Sequence, residues 1–164
     1  MKKIVSLKTF IALGAFLLIL AACGGGVAIN DLPAYPGAVE LKAGSSQIGY
    51  TLKKNMEQDA ALRQAVNSGG QTEQKGFQLP ADATWEKVNG FYAKELQASG
   101  WTSGLGGIAG GFVDINAMMN QANKGNELFQ TSVWSKGKQT LSVIMNTNPT
   151  NRQEKTLILS LSTR

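Results

Sequence analysis

The stretches "QTLSVIMNT", residues 139–147, and "KTLILSLST", residues 155–163, alternate apolar and small polar side chains along their length. A period of two with one apolar side is typical of strands in a sheet that is covered on one face. The run "ELFQTSVWS" at 127–135 precedes them, and "KGK" at 136–138 predicts a tight hairpin turn. A looser turn is predicted at 148–154. The last third of the chain is therefore expected to form a three-strand antiparallel meander.

The stretch "PADATWEKVNGFYAKELQASGW", residues 80–101, predicts a helix at about 84–99. Gly100 suits the left-handed residue that follows a helix, and Trp101 then packs back onto the last turn. Gly90 lies in the middle, and we interpret it as a place where the helix backbone comes close to the sheet. Apolar side chains recur at spacings of three and four, which puts them on one helical face: Trp85, Val88, Phe91, Tyr92 and Leu96.

Three shorter runs, at 38–42, 47–52 and 73–79, are further strand candidates, and 54–66 favours helix by propensity. The predicted fold class is α+β. We expect an antiparallel sheet of about five to six strands, including the C-terminal meander, packed on one face by the helix at about 84–99. The glycine-rich region 102–125 is interpreted as a long excursion that holds a short helix, with Asp114 as a candidate cap.

The N-terminus is basic, with Lys2, Lys3 and Lys8, and no charged residue occurs from 10 to 22. About thirteen apolar residues are too few to span a bilayer as a helix and are typical of a secretory signal peptide. The tetrapeptide Leu20-Ala21-Ala22-Cys23 resembles the lipobox of bacterial lipoproteins. A free or core cysteine in a secreted protein is the alternative interpretation.

The lipobox resemblance implies that the signal is removed before Cys23 and that this thiol carries membrane lipid. It implies three parts: a signal peptide at 1–22, a lipidated cysteine with a flexible tether at 23–33, and a single α+β domain at 34–164. The expected location is the cell envelope, facing outward from the cytoplasmic membrane or on the outer membrane. Gly24, which is not aspartate, favours the outer membrane by analogy with the family, and the envelope type stays open.

Composition argues against several classes of function. Three of the sixteen basic residues lie in the signal, so the remaining chain carries 13 − 11 = +2, and no basic run exceeds Lys53-Lys54. We therefore expect no nucleic acid partner. The single cysteine excludes an intrachain disulfide. The chain has no histidine, the commonest general base and a common metal ligand. We predict no catalytic residue, no metal, no cofactor and no enzymatic activity.

The stretch "GLGGIAGG" at 104–111 looks like a phosphate-binding loop but lacks the G-K-[ST] ending of a P-loop, so we interpret it as a flexible loop. Large aromatic side chains and methionines are the remaining candidates for contact with a ligand or partner, with core packing as the alternative. The candidates are Trp85, Tyr92, Trp101, Met118, Met119 and Trp134.

A second resemblance extends over most of residues 35–161. It is carried by "YPGA" at 35–38, by "LPADAT" at 79–84, by the pattern F-Y-x-x-x-L-x-x-x-G-W at 91–101, and by "WSKG" from Trp134. These motifs are similar to those of a loose group of small uncharacterised bacterial exported proteins. They describe a turn, a helix and its cap, so the resemblance implies a fold and no activity.

The expected function is therefore a membrane-anchored envelope lipoprotein whose domain binds or scaffolds another envelope protein without catalysis. One alternative is a carrier of a small apolar ligand between helix and sheet. A further alternative is a hydrolase that uses serine, lysine or carboxylates instead of histidine.

Overall fold

The structure is a computed structural model that describes residues 26–42, 54, 57, 70–104 and 115–164, the side chains of 115–117 excepted. The signal segment, Cys23, Asp114, the strand candidate at 47–52 and most of the helix candidate at 54–66 lie outside the described residues. A short 3-10 turn precedes the other elements. The elements are Ile29–Asp31 (3-10), β1 Val39–Leu41, β2 Gln71–Gln78, α1 Trp85–Ala98, β3 Thr102–Ser103, α2 Ile115–Asn123, β4 Phe129–Lys136, β5 Gln139–Thr147 and β6 Lys155–Thr163.

The strands form one six-stranded antiparallel sheet in the order β1-β2-β6-β5-β4-β3. The chain is therefore α+β, as the sequence predicts, and β4, β5 and β6 form the meander. Each of these three strands pairs with its neighbour in chain order, and Gly137 takes a positive φ of 57° at the first turn. The helix predicted at 84–99 spans Trp85–Ala98.

The register of the meander separates an apolar face from a more polar one. Leu141 lies opposite Leu161 and Val143 lies opposite Leu159, and all four side chains are buried. The alternate position between them pairs Ser142 with Ser160 on the other face. The buried side chains of α1 belong to the same hydrophobic cluster as the leucines. Those α1 residues are Trp85, Val88, Tyr92 and Leu96.

The interpretation of Gly90 is wrong. A side chain added at Gly90 would meet nothing within 4 Å, and the residue is exposed. The helix backbone therefore does not approach the sheet there, and Gly90 only weakens the intrinsic stability of α1.

Residues 27–38, here called the N-terminal strap, lie along the sheet. Val27 is held by the side chain of Gln139, whose Oε1 accepts from the Val27 N–H at 2.8 Å and whose Nε2 donates to the Val27 carbonyl at 2.8 Å. Ile29 and Leu32 are buried in the core cluster. The sequence places 27–33 in a flexible tether, whereas the structure packs these residues against the domain. The local sequence does not reveal this packing, because the partners lie far away in the chain.

Candidate functional site

Two of the predicted contact residues, Tyr92 and Trp101, lie in the core. Tyr92 is fully buried, and its hydroxyl donates a hydrogen bond to the Pro33 carbonyl of the strap at 3.0 Å. Burial raises the pKa of Tyr92 well above its usual value. Trp101 is 3 % exposed, and its backbone N–H donates to the Leu96 carbonyl at 2.9 Å, which closes the end of α1. Both side chains are therefore placed to stabilise the fold.

Three other candidates, Trp85, Met119 and Trp134, line a cleft of about 200 Å³ between α1, α2 and β4, here called the inter-helix cleft. Ser132 lies beside Trp134 and accepts a hydrogen bond from its Nε1 at 3.2 Å. The cleft is thus walled by two indole rings and a thioether. The full lining comprises Trp85, Asn89, Ala93, Gln97, Ser103, Met119, Asn120, Thr131, Ser132 and Trp134.

One stripe of α1 provides a whole wall of the inter-helix cleft. Its side chains are spaced by four residues, which aligns them along the helix surface. They are Trp85, Asn89, Ala93 and Gln97. Of these four residues, the sequence predicts only Trp85 as a contact residue. The signal that could have indicated the others is this spacing of four, beside the core stripe that contains Val88, Tyr92 and Leu96.

Asn89 carries an unsatisfied group. Its Oδ1 is buried and has no hydrogen-bond partner in the part of the chain that the structure describes. A buried acceptor without a partner costs roughly 1–3 kcal/mol, so most such atoms are paired. An unpaired amide oxygen on the wall of a cleft is suited to accept a hydrogen bond from a bound group.

The position of α2 is fixed by another side-chain amide. Asn123 Nδ2 donates to the Thr131 carbonyl at 2.8 Å, and the Thr131 N–H donates to Asn123 Oδ1 at 2.9 Å. Among the described residues, β3 pairs with Trp134 and Ser135 of β4, and the Gly104 N–H donates to the Val133 carbonyl, whereas Thr131 on the same edge pairs with the Asn123 amide. Asn123 thereby holds the end of α2 beside Thr131, which is one of the residues that line the inter-helix cleft.

A second cleft, of about 310 Å³, lies on the other side of Trp85 and is here called the charged cleft. Lys155 in its wall donates to the carbonyls of Ala81 and Ala83 at 2.8 and 2.6 Å, and so holds the turn before α1. An ion pair between Arg152 and Glu127 lies at its rim. The lining is Ala83, Thr84, Trp85, Glu86, Glu127, Gln130, Met145, Thr147, Arg152 and Lys155.

Large apolar side chains remain exposed on and after α2. Met118, the sixth predicted contact residue, is 62 % exposed, and Leu128 and Phe129 are 41 % and 48 % exposed. Exposed apolar residues that neighbour a cleft are common in surfaces that bind another protein.

The acidic side chains of the described residues are scattered. Among them, no three histidine, cysteine or acidic side chains lie close enough to hold a metal ion. The hydrogen bond and positive charge of Lys87 lower the pKa of Asp82 at the surface, which is the opposite of the shift needed for a general acid. In the ranges that the structure covers, no helix has the length and apolarity needed to cross a membrane.

No protein family, curated protein or solved structure that we compared matches this chain.

Proposed function

We propose that this protein is a lipid-anchored envelope protein whose single domain binds another protein through the inter-helix cleft, without catalysis. The observation that carries the binding proposal is the buried Asn89 Oδ1, which has no partner among the described residues and belongs to a cleft that Trp85 and Trp134 also line. Membership of α1 and the meander in one cluster supports the further proposal that α1, with the strap, covers one face of the sheet. The lipobox at 20–23 supports the anchor.

The size of the inter-helix cleft favours a protein partner over a small ligand. Pockets for small molecules usually measure about 300–1,000 Å³, whereas this cleft holds about 200 Å³, the space of one large side chain. Protein interfaces place one anchor residue of the partner in such a pocket and surround it with a polar rim. The inter-helix cleft with the neighbouring charged cleft fits that arrangement.

The carrier alternative rests on the charged cleft, whose volume reaches the lower end of the range for ligands. Its lining includes Glu86, Glu127, Arg152 and Lys155, which suits a polar molecule better than the apolar ligand of that alternative. A molecule that stays bound to the purified protein in native mass spectrometry would favour the carrier over the protein-binding module.

The binding proposal is tested with a photo-crosslinking amino acid at Asn120, on the rim of the inter-helix cleft, in the cells that make the protein. We expect one discrete protein adduct. The matched control places the same group at the exposed Gln153 in the turn between β5 and β6, where no such adduct should form. Equal adducts at both positions, or none at Asn120, would contradict the proposal.

Asn89→Leu distinguishes binding from folding in the same experiment. The substitution removes the unpaired acceptor, so we expect the free energy of unfolding to rise by about 1 kcal/mol while the Asn120 adduct disappears. A stabilised variant that keeps its adduct would show that Asn89 does not contact the partner.

The anchor is tested with Cys23→Ala. The unsubstituted protein should fractionate with membranes and carry lipid by mass spectrometry, and the variant should do neither. A variant that still fractionates with membranes while it carries no lipid would refute the anchor.

A further inference from the structure

We propose that the hairpin end of the sheet, which holds the β4–β5 turn and the last residue of the chain, lies on the membrane and contacts anionic phospholipid headgroups. This inference rests on the proposed lipid at Cys23 and specifies which surface of the domain faces the bilayer.

The chain between the lipid and the fold is short. Only three residues, Gly24, Gly25 and Gly26, separate Cys23 from Val27, where both backbone groups are bound by the Gln139 amide. The four residue-to-residue steps from Cys23 to Val27 reach at most about 14 Å. Gly26 also runs tightly along this amide, because a side chain there would lie 2.9 Å from Gln139 Nε2. The domain is therefore kept close to the headgroups at this point.

Gln139 marks one end of the sheet. Gln139 is the first residue of β5 and pairs with both Lys136 and Thr163. β5 has nine residues, which carry the chain about 27 Å from Gln139 to Thr147. The turn at 148–154 thus lies at the far end, beyond the reach of the four residues that follow Cys23.

The hairpin end of the sheet is basic. Lys136, Lys138 and Arg164 meet at the hairpin end, where the Arg164 N–H donates to the Lys138 carbonyl at 3.1 Å. No acidic side chain occurs in the sequence 128–153 or 155–164. Two carboxylates lie nearby, Asp31 of the strap and Glu73 of β2, and each accepts a hydrogen bond from a strap N–H.

The far end has a different composition. Acidic side chains face basic ones there, with Glu127 paired to Arg152 and Asp82 paired to Lys87. A basic residue near an anionic membrane contributes a favourable interaction that decays within a Debye length of roughly 8–10 Å. The chain between Cys23 and Val27 reaches at most about 14 Å, so it holds the basic end closer to the membrane than the mixed end, which lies about 27 Å further along β5.

The test uses the full lipidated protein in vesicles of phosphatidylcholine, with or without one quarter phosphatidylglycerol. A nitroxide label is placed at Ala98→Cys, the last residue of α1. This position lies near the hairpin end, because Lys136 Nζ donates to the carbonyl of the next residue, Ser99, at 2.7 Å. The matched label is Gln153→Cys in the far turn. Collision with a water-soluble nickel chelate reports whether each label lies at headgroup depth.

We expect the label at 98 to be shielded from the chelate in the anionic vesicles and the label at 153 to be fully accessible. Lys138→Glu should reduce the shielded population at least fivefold, whereas Lys124→Glu, an exposed lysine beside α2 with the same change in charge, should not. Equal accessibility of the two labels would overturn the orientation, and equal shielding in both kinds of vesicle would overturn the contact with anionic headgroups.

Mass spectrometry of the same sample shows whether Cys23 carries lipid. This measurement distinguishes a failure of the proposed orientation from a failure of the proposed anchor. A protein that carries lipid yet fails the accessibility test refutes the orientation alone. A protein with unmodified Cys23 refutes the anchor and the orientation with it.

Discussion

The two ends of α1 differ in how the rest of the chain closes over them. At the C-terminal end, Tyr92, Leu96 and Trp101 are 0–3 % exposed, and the Tyr92 hydroxyl is paired with the strap. At the N-terminal end, Trp85 separates two clefts, and Asn89 Oδ1 has no partner among the described residues.

The difference indicates that two parts of one helix have different roles. A paired polar group inside a packed core adds to stability, whereas an unpaired one lowers it and is retained where a partner supplies the missing bond. The side chains that cover the C-terminal end of α1, here called the closed end, therefore serve the fold. The cleft that begins at Trp85 near the N-terminal end, here called the open end, and continues along Asn89, Ala93 and Gln97 is available for binding.

The largest effect is expected for Trp101→Ala at the closed end. Removal of a buried indole leaves a cavity and should lower the free energy of unfolding by about 3–5 kcal/mol in guanidinium titrations. The matched variant Trp85→Ala should lose at least about 1 kcal/mol less, because the space it leaves opens into two clefts that water enters. Equal losses would mean that the two ends of α1 are packed alike.

Tyr92 should make the closed end sensitive to high pH. The pKa of Tyr92 is raised in the folded protein, so its contribution is complete below about pH 10, the pKa of the unfolded chain, and is lost as the pH rises above it. At pH 11.5, which is about 1.5 units above that value, the free energy of unfolding should be lower by about 2 kcal/mol.

Tyr92→Phe is the control for that titration. The variant should be about 1 kcal/mol less stable at pH 7, because the Pro33 carbonyl loses its donor. The deficit should vanish or reverse by pH 11.5. If the two proteins differ in free energy of unfolding by the same amount across this range, folding does not raise the pKa of Tyr92.

Two glycines test the backbone of α1 with opposite expected signs. Gly100 has a φ of +81° just past the helix, so Gly100→Ala should cost about 1–2 kcal/mol through backbone strain, although nothing lies within 4 Å. Gly90 is helical, exposed and equally unobstructed, so Gly90→Ala should stabilise by about 0.5–1 kcal/mol. Thermal unfolding measures both, and destabilisation by Gly90→Ala would restore the idea of a close approach.

The sequence predicts the meander and α1 well because both have a local period. Alternation over residues 139–163 defines the strands, and the spacing of Val88, Tyr92 and Leu96 defines a helix that differs by one residue at each end. The signals that set these elements lie within the elements themselves.

The strap and the clefts could not be predicted in this way. Gln139 binds Val27 across 112 residues, and no local pattern shows that contact. Trp85, Trp101 and Trp134 are all buried in the core cluster, yet only Trp85 and Trp134 also line the inter-helix cleft, because tertiary packing decides which side of a tryptophan is covered. The residue that distinguishes the site, Asn89, is polar and falls outside a search for aromatic candidates.

The smallest effect is expected at the open end, from the ion pair between Asp82 and Lys87, whose atoms lie 3.2 Å apart. The hydrogen bond and charge of Lys87 lower the pKa of Asp82, so the pair contributes above the ordinary pKa of aspartate and its contribution is lost as the pH falls. Both side chains are exposed, so water and salt screen this contribution.

The carboxyl carbon of Asp82, followed by NMR, should titrate below the ordinary aspartate value, and Lys87→Gln should return it toward that value with little change in stability. Lys94→Gln, on the same helix, is the control and should leave the midpoint in place. If Lys87→Gln does not move the midpoint, the ion pair does not persist in solution. The two ends of α1 would still differ in their response to pH. Burial disfavours ionisation of the Tyr92 hydroxyl, whereas water can replace Lys87 as the partner of the exposed Asp82 carboxylate.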